Sequence, residues 1–300
     1  MNNTTIVSNP FIPYCLSVDR QRMKPLKGKS LLVHIAINIE YWPFDKPMPR
    51  GIIPAPHGAP SAPPDIPNYG WVEYGMRCGM PRMMDMMADR KILASAFMNA
   101  MVVDVYPSLS EKVLKAEYEI VGHGLFQQSL KHADDEAEVI RKTVEKLSSF
   151  SGQNIRSWLG PGLAETENSL ELFRDHGIEF VHDWIVDDLP VWIKSGDGHL
   201  VALPYSLELN DVPAYVIQNG TSDELYKRLE ATLDIYGAEM QNRQDCRIIT
   251  IGLHPHIMGV PHRAYYFERM LDMLQEREDT IFVTSSQIGD WFLSQTERPN

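Results

Sequence analysis

Segments typical of buried strands alternate along this chain with segments typical of helices, and this alternation most limits its fold. Apolar runs rich in β-branched residues lie at 31–40, 91–99, 118–123, 155–159, 178–185, 246–253 and 280–284. Between them lie helical patterns, such as the i, i+3, i+4, i+7 spacing of Phe267, Met270, Leu271 and Leu274. Such alternation predicts the α/β class, with a parallel sheet or barrel.

Polar side chains come at or just after the C-terminal ends of these predicted strands. They are Asn38, Glu40, Asn99, His123, Asp183, His254 and His256. In a parallel barrel these strand ends meet at one face, where active sites form. Asn38 and Glu40 are two residues apart, so in a strand both point to the same side. We therefore expect one pocket that contains these groups.

Each of these residues also has a purely structural interpretation. Glu40 could be an exposed strand terminus, and His123, between Gly122 and Gly124, could be a turn residue. The segment His254-Pro-His256 could be a tight turn with one buried ring. In the segment that begins at Asp183, helix capping and solvation explain Asp187 and Asp188 as well as catalysis does.

Charge and cysteine content exclude several classes of protein. The formal net charge of −12 argues against nucleic acid or an anionic membrane as a partner. The three cysteines lack C-x-x-C spacing, which argues against a disulfide framework or a thiolate zinc site. No Gly-x-Ser-x-Gly or phosphate-binding motif occurs. Residues 1–14 lack the pattern of a signal peptide, so we expect a cytoplasmic protein.

The expected domain organisation is simple. Residues 1–28 are polar and irregular, and we interpret them as an N-terminal extension to a single catalytic domain at 29–300. Prolines and glycines from Trp42 to Pro67 predict a long loop. We expect the segment 65–74 to be a loop as well. Its Trp71 and Tyr74 would form a pocket wall, or else a surface or dimer contact.

Five motifs follow one another along the chain: Ile37-Asn-Ile-Glu40, Gly122-His-Gly124, Trp158-Leu-Gly-Pro-Gly-Leu-Ala-Glu-Thr166, Asp183-Trp-Ile-Val-Asp-Asp188 and His254-Pro-His-Ile-Met-Gly-Val-Pro-His-Arg263. In this order they resemble the polysaccharide-deacetylase-like superfamily, and more narrowly its intracellular branch of metal-independent allantoinases and cyclic imide hydrolases. The resemblance spans about 31–293. It implies a deformed or incomplete (β/α) barrel of about seven parallel strands. It also implies hydrolysis of a carbon–nitrogen amide bond and an oligomer, which we expect to be a homo-oligomer.

The resemblance also shows where this chain departs from metal-dependent deacetylases, which use two aspartates and two histidines. Asn38 stands in place of the aspartate that acts as the catalytic base, and Glu40 stands in place of the aspartate that binds the metal. Gln127 stands in place of the second histidine. An asparagine cannot accept a proton from water, and a glutamine amide is a poor zinc ligand. We therefore expect either no required cofactor or a non-classical divalent metal, zinc included, held by Glu40, His123 and His254 or His256.

From the motifs we assign catalysis to Glu40, His123 and His254. Glu40 would activate water or orient the substrate, and the two histidines would carry protons and stabilise an oxyanion. The residues expected to bind the substrate are Asn38, Asn99, Trp71, Tyr74, Asp183, His256 and Arg263. The expected substrate is a small, cyclic amide or imide that resembles allantoin or a cyclic imide. Two alternatives stay open: a metal-dependent carbohydrate N-deacetylase, and a non-catalytic small-molecule binding protein.

Overall fold

A computed structural model describes residues 7–52 and 62–299 of the protein. Within this part of the chain one curled sheet contains nine strands. They are β1 (Leu31–Ile39), β2 (Ser95–Met98), β3 (Glu119–Gly122), β4 (Ser157–Trp158), β5 (Phe180–Val181), β6 (Val191–Ser195), β7 (Gly198–Ala202), β8 (Arg247–Leu253) and β9 (Thr280–Val283).

The sheet runs in the order β6-β7-β5-β4-β3-β2-β1-β8, and β9 pairs with the first half of β1. Every ladder is parallel except the β6–β7 hairpin. Among the described strands, no ladder joins β8 to β7, so the barrel is open on that side. This confirms the predicted deformed, incomplete barrel.

Nine α-helices accompany the sheet in the described ranges. They are α1 (Ile66–Tyr74), α2 (Met80–Asp89), α3 (Val102–Val105), α4 (Pro107–Lys115), α5 (Glu136–Ser151), α6 (Ser169–Asp175), α7 (Glu224–Arg243), α8 (Pro261–Gln275) and α9 (Ser285–Leu293). A wide helical turn at Gly75–Gly79 joins α1 to α2, and another occupies Val212–Ile217.

Strand β1 is the centre of the fold because every one of its residues is buried. Its apolar run lies between β8 on one side and β2 with β9 on the other. A strand buried on both faces needs apolar side chains at successive positions, which explains the Leu-, Ile- and Val-rich sequence. The polar Asn38 and Glu40 come where this strand ends, at the rim of the barrel.

One sequence expectation about local structure was wrong. The segment expected to be a loop at 65–74 is helix α1, which Asp65 caps by accepting from the Asn68 N–H at 3.3 Å. Pro67 lies in the first turn, where a proline does not interrupt helical hydrogen bonds. The antiparallel β6–β7 hairpin was not expected, because its alternating pattern is short and weak. Part of the long loop expected at 42–67, namely 53–61, lies outside the described residues.

The N-terminal segment 7–28 packs against the barrel without a helix or regular strand of its own. Ile12 and Met23 are buried, and the Met23 N–H donates to Asp245 at 2.8 Å. The proposed boundary between this extension and the catalytic domain stays a prediction. None of the helices in the described ranges combines the length and apolar character needed to cross a bilayer.

Candidate active site

Glu40 is a buried carboxylate at the end of β1, with only 4 % of its surface exposed. Its Oε2 atom accepts a hydrogen bond from the indole N–H of Trp42 at 2.7 Å. Its Oε1 atom lies 3.3 Å from Nε2 of His254 and 3.7 Å from Nε2 of His123. The indole therefore fixes one oxygen, and the other faces two imidazoles.

His254 follows β8 and is held by a buried carboxylate that sequence reasoning missed. Asp211 accepts from the His254 backbone N–H at 2.6 Å and lies 2.7 Å from its ring Nδ1. Burial lowers the pKa of His254, but the charges of Asp211 and Glu40 outweigh it and raise this pKa to about 9. His254 is therefore an imidazolium near neutral pH, and its Nε2–H points at Glu40.

The same contacts act on the Glu40 carboxyl. Burial raises its pKa, but the charge of His254 and the two nearby imidazoles outweigh burial and hold it well below its usual range. Glu40 is consequently ionised in the folded protein. Glu40 and His254 form a buried pair of opposite charges.

His123 follows β3 and completes the group. Its Nδ1 lies 2.6 Å from the carbonyl oxygen of Leu159, which requires a hydrogen on Nδ1. In the neutral ring Nε2 then carries a lone pair. This buried atom has no hydrogen-bond partner among the described residues, because 3.7 Å to Glu40 is too long for one.

A cleft of about 160 Å³ opens onto this group. Asn38, Glu40, His123 and His254 line it together with Tyr205, Asn210 and Arg50. Asn38 donates both of its N–H bonds within the protein, to the Tyr205 hydroxyl at 2.9 Å and the Leu253 carbonyl at 3.2 Å. Its side-chain oxygen is the acceptor it can offer a substrate. A larger groove of about 420 Å³ beside α7 contains none of the three catalytic candidates.

Asp183 lies behind the cleft. Its carboxylate accepts from the Gly160 N–H through both oxygens, each at 2.9 Å. That N–H is therefore used internally and is not available to an oxyanion. Burial, then the charge of Asp183, raises the pKa of the neighbouring Glu165 to about 9, while burial raises that of Asp183 to about 6. The two carboxyls hold a proton between them near neutral pH.

His256 is buried next to the cleft but does not line it. Its ring packs edge-on against Trp71 at 4.5 Å and Trp42 at 5.7 Å between centroids, and Trp71 Nε1 donates to its backbone carbonyl at 2.9 Å. Burial, then the charge of His254, lowers its pKa to about 3. His256 and Trp71 thus support Trp42, which in turn holds Glu40.

Three other expected substrate-binding residues lie outside the lining of this cleft. Asn99 donates to the His123 carbonyl and accepts from the Tyr41 N–H at 2.9 Å, so it braces the loops below the site. Tyr74 is the last residue of α1. Arg263 lies in α8 with its guanidinium 4.5 Å from the Tyr215 ring centroid. None of the three lines the cleft, and their roles in substrate binding stay predictions.

The fit of this site to a metal can be judged from its donors. Among the described residues, no group of three or more His, Cys, Asp or Glu side chains could hold a metal ion. One oxygen of Glu40 is bonded to Trp42, and a protonated His254 has no lone pair to give. Gln127, at the position of the second histidine, directs its oxygen toward Asn99 at 3.4 Å. Glu40 and His123 alone do not make a divalent metal site, so no step is derived through a metal.

Several functional side chains had no clear signal in the sequence. Trp42 and Arg50 reach the site from loops, and Asp211 from the N-cap of the short helical turn at Val212–Ile217; in none of these places does a periodic pattern predict the direction of a side chain. The only signal for Asp211 is an acidic residue directly before the largely apolar segment 212–217, which is unusual unless the charge has a partner.

The open barrel is similar in fold to solved structures titled as probable or putative polysaccharide deacetylases from Pseudomonas aeruginosa and Mycobacterium smegmatis. A family model described as "Polysaccharide deacetylase" matches residues 69–181. This confirms the resemblance seen in the five sequence motifs. For the class of reaction, it also confirms the prediction of a hydrolase acting on carbon–nitrogen bonds other than peptide bonds.

Three similar proteins cover most of the chain. A Schizosaccharomyces pombe protein named "Putative polysaccharide deacetylase" is 26 % identical over 236 residues, covering 72 % of this chain and 73 % of its own. The "Peptidoglycan deacetylase" of Helicobacter pylori is 20 % identical over 251 residues, covering 73 % of this chain and 85 % of its own. The solved structure titled "Crystal structure of Puue Allantoinase" superposes with a TM-score of 0.78 at 20 % identity, covering 89 % and 92 %.

Proposed function

We propose that this protein hydrolyses a carbon–nitrogen bond in a small, cyclic amide or imide, in the manner of an allantoinase or cyclic imide hydrolase. The observation that carries the proposal is the contact between a carboxylate and an imidazolium. Glu40 Oε1 lies 3.3 Å from Nε2 of His254, and both face a small cleft. A base and an acid are thus held side by side.

The reaction follows from these positions. Water in the cleft gives a proton to Glu40 Oε1 while its oxygen forms a bond to the substrate carbonyl carbon. His123 Nε2, a lone-pair acceptor in the neutral ring, holds the second water hydrogen. The carbon–nitrogen bond then breaks, and His254 gives its Nε2 proton to the leaving nitrogen. The proton on Glu40 returns to His254 across the 3.3 Å contact, which restores the starting state.

The size of the cleft supports a small substrate. Pockets for drug-sized ligands usually occupy about 300–1,000 Å³, whereas this cleft occupies about 160 Å³. A carbonyl in a strained or electron-poor ring is also easier to attack than the acetamide of a sugar. Hydrolysis of such a ring therefore needs less activation of the carbonyl, which suits a site without a suitable set of metal ligands.

One observation favours the second candidate, a metal-dependent carbohydrate N-deacetylase. Nε2 of His123 is buried, has no partner among the described residues, and faces Glu40. A cation between these two groups would contact both, if a deprotonated His254 completed the set of ligands that the two alone do not make. The relatives named as deacetylases agree with this alternative.

The deciding experiment is a substrate panel measured with and without chelator. Purified protein is assayed against allantoin, hydantoin and succinimide, and against N-acetylglucosamine oligomers. We expect ring opening that survives dialysis against EDTA. Acetate release from the oligomers that EDTA abolishes and zinc restores would replace this proposal with the second candidate. Activity against none of them, in protein that is folded by circular dichroism, would count against both.

A further inference from the structure

We propose that Arg50 forms an anion-binding subsite at the cleft and that the substrate carries a carboxylate group beside its scissile amide bond. The inference deepens the proposed function and rests on it for the hydrolytic step. The subsite itself is a matter of charge and position, and its binding can be tested separately.

Arg50 is a cation without a carboxylate partner. It is the one Lys or Arg side chain among the described residues that line the cleft. In the described ranges no aspartate or glutamate oxygen lies within 4.0 Å of its guanidinium, although most other buried or half-buried arginines form such pairs. The remaining residues, 1–6, 53–61 and 300, include no aspartate or glutamate.

The chain has 40 acidic and 28 basic residues, so carboxylates outnumber the cations that could pair with them. Arg50 is half-buried, so its charge is only partly exposed to water. The acidic residue that lines the cleft with it, Glu40, already has both oxygens engaged by Trp42 and His254. The guanidinium is therefore left to bind an anion that enters from solution.

The backbone near Arg50 is anchored. Two residues further on, the Ile52 N–H donates to the side-chain oxygen of Asn68 in α1 at 2.8 Å. Asn68 is itself buried, with 3 % of its surface exposed. This hydrogen bond ties the chain two residues after Arg50 to helix α1.

The position of Arg50 also relates it to the reacting groups. Its charge adds to burial and to His254 in lowering the pKa of His256, which packs on Trp42. A guanidinium binds a carboxylate through two parallel hydrogen bonds and so fixes its orientation as well as its charge. A cyclic substrate held this way would place its amide carbonyl toward Glu40 and His254.

A matched pair of substrates tests the proposal. Hydantoin-5-acetate carries the carboxylate, and hydantoin-5-acetamide has the same shape without the charge. We expect wild type to prefer the acetate by about 10- to 150-fold in kcat/KM, the range for hydrogen bonds to charged groups. Arg50→Gln should remove this preference, through a higher KM for the acetate. Arg50→Lys should keep part of it.

Arg22→Gln is the matched control. Arg22 is exposed in the N-terminal segment, and this variant changes the net charge by the same amount. It should retain the wild-type preference. Thermal melts establish that all three variants are folded. Equal kcat/KM for the two hydantoins in wild type, or an unchanged preference in Arg50→Gln, would overturn the inference while leaving the proposed hydrolysis intact.

Calorimetry with glutarate and glutaramide decides the case if neither hydantoin is hydrolysed. Saturable glutarate binding that Arg50→Gln abolishes, without comparable glutaramide binding, would keep the subsite and remove the proposed function. No glutarate binding to wild type would overturn the subsite.

Discussion

The Oε1 atom of Glu40 lies 3.3 Å from the Nε2 atom of His254, inside the barrel rim and almost entirely removed from water. At this distance a proton can pass directly between the two side chains. Two elements that are far apart in the sequence supply them, since Glu40 follows β1 and His254 follows β8. The parallel β1–β8 ladder is what brings them together.

Replacement of the carboxylate tests its role as the base. We expect Glu40→Gln to lower kcat by at least about 100-fold, because an amide cannot take a proton from water. The amide oxygen can still accept from Trp42, so the fold should persist. Steady-state kinetics and circular dichroism measure the two effects. Near-normal turnover in a folded variant would remove Glu40 from the chemistry.

Replacement of Asp211 tests the source of the charge on His254. In wild type the pKa of His254 is raised to about 9, so the acidic form is lost as pH rises through about 9. Asp211→Asn should move the alkaline limb of the kcat/KM profile to lower pH and reduce activity at pH 8 by about 100-fold. An alkaline limb that stays in place would show that another group is the acid.

The same pKa shift has a consequence for stability. A histidine whose pKa is raised on folding stabilises the folded state below its unfolded pKa, near 6.5, and loses this contribution as pH rises toward 9. The Asp211→Asn variant should therefore differ most from wild type at low pH within this window. Urea unfolding at pH 6 and pH 9.5 measures the difference.

Replacement of Trp42 tests whether the position of the Glu40 carboxylate affects kcat. Trp42→Phe keeps an aromatic ring but removes the N–H that binds Glu40 Oε2 at 2.7 Å. Hydrogen bonds to charged groups contribute about 1.5–3 kcal/mol. We expect kcat to fall by about 10-fold or more, with little change in KM. A variant that changes KM alone would assign Trp42 to substrate contact instead.

Replacement of Gly75 tests whether the helical turn at 75–79 must pack closely against the loop that follows β8. A Cβ at Gly75 would lie 2.6 Å from the Cα of His256. We expect Gly75→Ala to cost about 1–3 kcal/mol of unfolding free energy and to lower activity, because the loop must move. Gly237→Ala in α7 is the control, since the nearest atom to its Cβ is 3.8 Å away. It should gain about 0.5–1 kcal/mol.

The carboxyl pair behind the cleft predicts a pH dependence of stability. The pKa of Glu165 is raised on folding to about 9, so the folded state gives up its proton less readily than the unfolded chain. The free energy of unfolding should therefore fall as pH rises from about 4.5 to 9. Glu165→Gln should flatten this slope in urea titrations. An unchanged slope would show that other groups cause it.

Much of the fold could be predicted from local pattern. A strand buried on both faces needs successive apolar residues, so the sequence from Leu31 to Ile39 indicated β1 directly, and alternation with helices indicated the parallel sheet. The prediction failed at 65–74, where proline, glycine and aromatic residues suggested a loop. There Asp65 caps a helix, and contacts with His256 and its loop stabilise that helix. The alternating pattern of β6 and β7 was too short to be recognised as a hairpin.

The sequence by itself determined which chemical groups stand at the strand ends: Glu40, His123 and His254 were identifiable because strand direction fixes where a carboxyl end lies. Only the tertiary structure decided their states. The charge of His254 depends on Asp211, and the orientation of Glu40 depends on Trp42. Arg50 supplies the cation of the cleft. These three residues lie in loops or at the start of a short helical turn. A pKa and a hydrogen-bond direction depend on distances in space, and loop sequences do not encode those distances in any local period.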